Sequence, residues 1–451
     1  NTLIGGLAGD ALTTGIENTA IGYQALSAAQ TSHANVAIGH QSLAVQSADG
    51  YTFNTAVGYN SGQQVTSGSQ QVFIGAYAGD ALTTGAQNVA IGYKALSGED
   101  TGNKNIAIGT NALEVLNYNG DGYNIAVGHD AGKSVTSGTH NTLIGGLAGD
   151  ALTSGSYNVA LGYNSLGAED EHGRNIAIGY NALSNLNAGT DGNNVAIGHN
   201  TGAAITTGIS NTLVGANAGD TLTSGGNNVL LGSSAGTALT TGSQNVVVGR
   251  QALYTEDTGS RNIAIGDRAL YDCNYDGVGY NTVIGHDAGD DISTGIQNTI
   301  IGGNAAKSNI TTGSNNIVIG YAATAAAVDS ANSVTFGDSN IAAIRCQVQT
   351  ISALSDERDK TNIQDSTYGL DYINSLRPVT FEWNNREESV HKGTKDVGFI
   401  AQELQKLDDE YTKLVLTDNP ERLEASYGRL IPILVKAIQD LSEEVKQLKN
   451  K

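Results

Sequence analysis

The sequence predicts a mainly β protein: a β-solenoid of 19 short repeats, joined to a chemically different C-terminal piece that ends in a coiled-coil helix. Three observations carry this prediction. The motif Asn-x-x-(Ile/Leu/Val)-Gly recurs 19 times between Asn1 and Asn316, composition changes abruptly near residue 355, and residues 431–448 carry a heptad seam.

The repeats come first because self-similarity decides architecture. Eighteen of the 19 units open with Asn and one with Gln71, and every unit has Gly at its fifth position. Fourteen units are 17 residues long, four are 19 and one is 18. A longer period of 70 residues brings the units at 1, 71 and 141 into correspondence. Such a unit is too short for a helix pair and lacks a 3.6-residue apolar stripe. The alternation in Asn-Val-Ala-Ile-Gly reads as a short strand followed by turn chemistry. The second half, as in Asp10-Ala11-Leu12-Thr13-Thr14-Gly15, reads as another short strand and turn. One unit per coil fits, with a thin interior of Ala and branched aliphatics. Asn side chains would stack along the axis in a ladder. Strands about 4.8 Å apart would make a rod on the order of 90 Å long. Ser333-Val334-Thr335-Phe336-Gly337 reads as a degraded final unit, where a cap belongs.

Composition narrows the function classes. The chain has 451 residues, 59 of them Gly, only 3 Pro and no Met. Its 23 Lys+Arg against 44 Asp+Glu give a net charge of −21, which repels phosphate backbones and argues against a nucleic-acid partner. No apolar run approaches the roughly 18–20 residues of a membrane helix, so no membrane insertion is expected. Cys273 and Cys346 are too few for a disulfide framework or a zinc site. Asn1 already lies inside a motif, which reads as a processed product or a piece of something longer. No cofactor or metal is expected. Asp10, Asp80, Asp150 and Asp220 recur in register and could gather a cation at a threefold axis, but solvated loop acids are the simpler expectation. Tyr23, Tyr59, Tyr93, Tyr163, Tyr180 and Tyr321 share the position after the repeat Gly with His40, His129, His199 and His286. This stripe could stack on sugars, although a ladder that merely covers the turn is the expected role.

Residues 355–451 hold 33 charged residues in 97, against 34 in the preceding 354, and contain every proline and Trp383. The domain boundaries follow: a repeat shaft over 1–332, a cap and linker over 333–354, and a separate domain over 355–451. In the last segment Ile431, Leu434, Ile438, Leu441, Val445 and Leu448 step by three and four, the spacing of a coiled coil. Pro432 is compatible with a helix that begins close to it.

Two resemblances add to this reading. The repeats resemble the head repeats of trimeric autotransporter adhesins, and more closely the Asn-Thr-Ala-Ile-Gly-Tyr-type repeats of bacteriophage tail fibres. That resemblance implies a homotrimeric, extracellular, fibrous β-roll. The C-terminal piece carries Ser355-Asp356-Glu357-Arg358-Asp359-Lys360-Thr361-Asn362-Ile363, then Gly369-Leu370-Asp371-Tyr372-Ile373, then Asp396-Val397-Gly398-Phe399-Ile400-Ala401-Gln402-Glu403-Leu404. It resembles the intramolecular chaperone domain of phage endosialidase tailspikes, peptidase family S74, a module also found in myelin regulatory factor. The resemblance implies a small α+β chaperone domain that aligns three chains and then cuts itself off. Its Ser-Lys dyad maps onto Ser355 and Lys360, with the cut between Leu354 and Ser355. Asp356, Arg358 and Asn362 match the same motif and are possible supporting residues. A serine needs an adjacent base, and a desolvated lysine can be one. β-Branched residues at a and Leu at d favour a dimer by the local rule, whereas the family implies a trimer. The trimer is preferred, because fewer than three heptads cannot set oligomer state against a whole trimeric fibre.

The expected function is a structural fibre, a phage tail fibre or virion appendage that attaches to a host-surface receptor or glycan, with a single-turnover self-cleaving chaperone. The alternative is a bacterial trimeric surface adhesin or filament using the same chaperone. A glycan-cleaving tailspike is disfavoured, because no non-repeated segment is large enough to build an acidic catalytic cleft.

Overall fold

The computed structural model describes residues 1–450 apart from 308–309, 325–326, 342–343, 345–354, 385–391, 418 and 422. Each repeat contributes one three-residue strand, from Thr2–Ile4 through Ile317–Ile319, and Val334–Phe336 adds a further one. Every strand pairs in parallel with the next in strict register, as in Ala126 with Leu143 and Leu143 with Ala160. The result is a β-solenoid. The middle residue of each strand points inward and is fully buried, from Ala20 to Val318. Ser333 closes the final coil, donating to Asn316 Oδ1 from its N–H at 3.1 Å and its hydroxyl at 2.7 Å.

Tight coiling comes from left-handed backbone at fixed positions. The fifth-position glycines lie at φ +130° to +147°, a region that side chains avoid. A Cβ on Gly145 would sit 2.4 Å from the Gly162 carbonyl oxygen, so the next coil also forbids one. Position seven is left-handed as well and favours short polar residues, such as Asn60 at φ +54° and Asp130 at φ +55°. Position nine is Gly or Leu in 17 of the 19 repeats, and the volume offered by the strands around it bears on the choice. Phe73 fills the interior opposite Gly79, where an added Cβ would lie 2.5 Å from the ring. Where the strand offers only Ala90, position nine is Leu96, which supplies the missing volume from a strained φ of +54°.

The second half of the unit differs from the sequence expectation. Among the described residues it pairs as a strand only at Ser32–His33 with Gly50–Tyr51, plus two isolated bridges. Elsewhere successive N–H groups converge on one carbonyl of the next coil, as Thr136, Ser137 and Gly138 do on Thr153 O at 2.8, 3.1 and 3.3 Å. Convergence of this kind makes a turn rather than a ladder.

From Asn18 onward the repeat-opening Asn residues are buried and form the expected axial ladder, but mainly with backbone. Asn124 Nδ2 donates to Gly138 O at 2.8 Å, and its Oδ1 accepts the Asn141 N–H at 3.1 Å.

The C-terminal region has its own small core of Leu376, Leu404, Leu414, Val415, Leu430 and Ile433. Around it stand α1 (Leu370–Ser375), α2 (Ala401–Leu404) and α3 (Leu430–Lys449). Val379–Glu382 pairs antiparallel with Lys395–Gly398, and Val415–Leu416 with Glu424–Ala425. The region is α+β, as expected. Pro432 is the third residue of α3, where no intrahelical N–H is lost. Asp440 on α3 accepts the Leu370 N–H at 3.2 Å, tying α1 to α3.

Candidate active site

Residues 355–360 form a compact loop built on one 3-10 turn, Glu357–Asp359. Asp356 is its N-cap, extended at φ −67° and ψ 136°, and its Oδ1 accepts the Arg358 N–H at 2.9 Å. The Lys360 N–H donates to Glu357 O at 3.0 Å and closes the turn. The lysine side chain therefore folds back over the start of the loop. Its Nζ stands 2.6 Å from Ser355 Oγ and 3.2 Å from Ser355 O. A serine hydroxyl and an amine in direct contact are the minimum for nucleophile and base. Both residues are exposed in the single chain. Arg358 also grips the Asp356 carboxylate through Nε at 3.0 Å and its terminal nitrogen at 2.6 Å. That pairing holds the Asp356 carboxyl below its usual range and pushes Arg358 up.

Of the residues singled out in the sequence, Ser355, Asp356, Arg358 and Lys360 come together in this loop. Asn362 is exposed and takes a left-handed φ of +53° two residues further on. Leu354, the other side of the expected cut, and Cys346 lie outside the described residues.

Repeated aromatic side chains of the solenoid form ladders. His40 stacks on Tyr23 and Tyr59 with ring centroids 5.4 and 5.0 Å apart, and Tyr180 stacks on Tyr163 and His199 at 5.7 and 5.3 Å. These ring faces are used on one another, leaving edges and hydroxyls to solvent. Asp80 and Asp150 are half-buried rather than fully solvated, and burial pushes both carboxyls up. Two groups of donor atoms, Glu169–Asp170–His172 and Asp267–His286–Asp287, come close enough to hold an ion. Their members already have protein partners: Glu169 accepts the His172 N–H, Asp267 pairs with Arg250, and Asp287 pairs with Lys307. Cys273 is a buried free thiol beside Glu256, and its burial, then the Glu256 carboxylate, raise it well above the usual thiol range. Among the described residues no helix is long and apolar enough to cross a membrane.

Sequence reasoning missed three buried carboxylates, Glu99, Glu169 and Glu256, each completely enclosed. The signal was available, since all three sit at position twelve of the coil before a 19-residue coil.

Comparison with known proteins bears on the C-terminal region as a domain. Residues 355–416 match the family described as the chaperone of endosialidase, a match that begins at Ser355 itself. The long tail fiber proteins Gp37 of Enterobacteria phage M1 and of phage Ox2 are each 36% identical to this chain over 98 residues. Those residues are 21% of this chain, and the chain spans 38% of the length of either relative. No solved structure matches.

Proposed function

We propose that this chain, whose residues 355–416 form a chaperone-of-endosialidase domain, is the shaft of a phage tail fibre or related virion appendage that presents a host-binding surface. Its C-terminal domain aligns three chains, templates the fold of the shaft and then cuts itself free between Leu354 and Ser355. The observation that carries the self-cleavage is the 2.6 Å contact between Lys360 Nζ and Ser355 Oγ at the start of the matched domain.

The reaction is an acyl shift followed by hydrolysis. Neutral Lys360 removes the Ser355 hydroxyl proton, and Oγ attacks the Leu354 carbonyl carbon. The Leu354–Ser355 C–N bond breaks, and the lysine returns the proton to the departing amine. Leu354 is then held as an ester on Ser355 Oγ until water hydrolyses it and frees the hydroxyl. A lysine can start this only after losing its own proton, which burial or nearby cations bring about. The lysine is exposed in one chain, so assembly that covers it would switch the cut on. Cleavage then follows correct folding instead of preceding it.

Expression of the wild-type chain should give an N-terminal product ending at Leu354 and a 97-residue remainder, resolved by intact mass. Ser355→Ala and Lys360→Ala should give only the full-length chain. Equal processing of wild type and Ser355→Ala rules the mechanism out, and normal processing of Lys360→Ala assigns the base elsewhere.

A further inference from the structure

Building on the proposed self-cleavage, we infer that Asp356 is a positioning residue for the reaction, acting through the hydrogen bond from the Arg358 N–H to its Oδ1 rather than through its charge. The chain must reverse between Ser355 and Lys360 for the amine to reach the hydroxyl, and the Glu357–Asp359 turn makes that reversal. A three-residue turn has few internal bonds of its own. The Asp359 N–H reaches Asp356 O at 3.2 Å, and the Lys360 N–H reaches Glu357 O at 3.0 Å. The Arg358 N–H at the centre of the turn is satisfied at 2.9 Å by the Asp356 side chain. Without that acceptor the turn opens to solvent and the amine spends less time on Ser355 Oγ.

The guanidinium pair is the competing explanation. Its arginine is exposed, and an exposed pair two residues apart holds little against solvent. A side-chain cap is different, because it fixes the backbone that sets the distance between base and nucleophile. Displacement by about 1 Å is enough to slow a positioned reaction severely.

The test separates cap from charge with two conservative variants of the full-length chain. Asp356→Asn keeps an acceptor at the cap and removes the charge. Asp356→Glu keeps the charge and moves the oxygen away from the cap. Cleavage is measured as the first-order appearance of the 97-residue fragment, using the assembled fraction from size exclusion. Asp356→Asn and Arg358→Leu should stay within about twofold of wild type, while Asp356→Glu and Asp356→Ala should slow roughly tenfold, in line with the loss of a helix cap. Slow Asn with fast Glu overturns the inference in favour of charge, and wild-type rates in both overturn any role. Failure of the underlying reading has a different signature: Ser355→Ala would then cleave as wild type does.

Discussion

The Asn141 amide accepts the Asn158 N–H at 3.0 Å through Oδ1 and donates to the Gly155 carbonyl at 2.8 Å through Nδ2. It thus bonds to backbone of the next coil and of its own, at a fully buried position. Replacing it with Ala leaves one buried donor and one buried acceptor unpaired, each costing about 1–3 kcal/mol. Gln71 is the informative exception in the column. Its Oε1 accepts the Asn88 N–H at 2.9 Å and its Nε2 reaches Gly85 O, so the longer amide performs both tasks. We therefore expect Asn141→Ala to lose about 2–6 kcal/mol of shaft stability and Asn141→Gln less than half of that, measured by denaturant midpoint. Equal losses for the two variants would mean that the ladder is not held by these bonds. The column itself was legible because Asn recurs at a fixed spacing. Its partners were not, because periodicity says which residues stack and not whether side chain or backbone faces them.

The 19-residue coils show how an irregular element is built into a regular array. In three of the four, those beginning at Asn105, Asn175 and Asn262, the preceding coil holds the added loop from inside and outside. Inside, Glu99 accepts the Gly102 N–H of its own turn at 2.7 Å and the Tyr118 N–H of the longer coil at 3.4 Å, and Glu256 treats Gly259 and Tyr275 likewise at 2.7 and 3.1 Å. Outside, Lys104 reaches Asp121 at 2.6 Å, Arg174 reaches Asp191 at 2.8 Å and Arg261 reaches the Tyr280 hydroxyl at 2.7 Å. Burial raises the carboxyls of Glu99, Glu169 and Glu256 despite these donors. The sign of the linkage follows from that direction. A carboxyl raised in the folded state binds its proton more tightly there than in the unfolded chain. Its stabilising contribution is therefore complete below the usual Glu value of about 4.3 and is lost as pH rises through the folded-state value. Replacing all three with Gln should remove this component, so wild-type stability should fall more steeply than the variant's above about pH 4, measured by calorimetry across pH. Identical slopes would show that the three glutamates do not titrate with folding. Turn chemistry in this half of the unit was misread as a strand, because Thr-Thr-Gly and Thr-Ser-Gly fit both patterns and only the convergence of N–H groups on one carbonyl separates them.

At the scale of the whole molecule, the outward face of the long parallel sheet has no partner among the described residues of the single chain. Position four is Ile, Leu or Val in all 19 repeats, and position two is always Thr, Val or Ile. Neither column is needed inside the coil, where the middle strand residue fills the core. Both stay partly in solvent, with Ile74 and Leu161 each 41% exposed. A flat β-branched strip running the length of the shaft exceeds what a monomer ordinarily leaves open. On α3, Ile431, Ile438 and Leu448 are likewise 63%, 66% and 70% exposed along the predicted heptad seam. The proposed threefold assembly would bury both stripes, whereas the net charge of −21 keeps the remaining surface solvated. A charge placed on the sheet face tests this, because a half-exposed lysine is tolerated in one chain but stacks with its symmetry mates in a trimer. In a Ser355→Ala background, which keeps the chain whole, light scattering should give three times the 46.3 kDa chain mass. Adding Ile197→Lys and Ile301→Lys should shift the shaft toward folded monomer, with β-rich circular dichroism retained. A stable folded monomer near 46.3 kDa without the lysines, or an undisturbed trimer with them, would show that the sheet face serves something other than assembly.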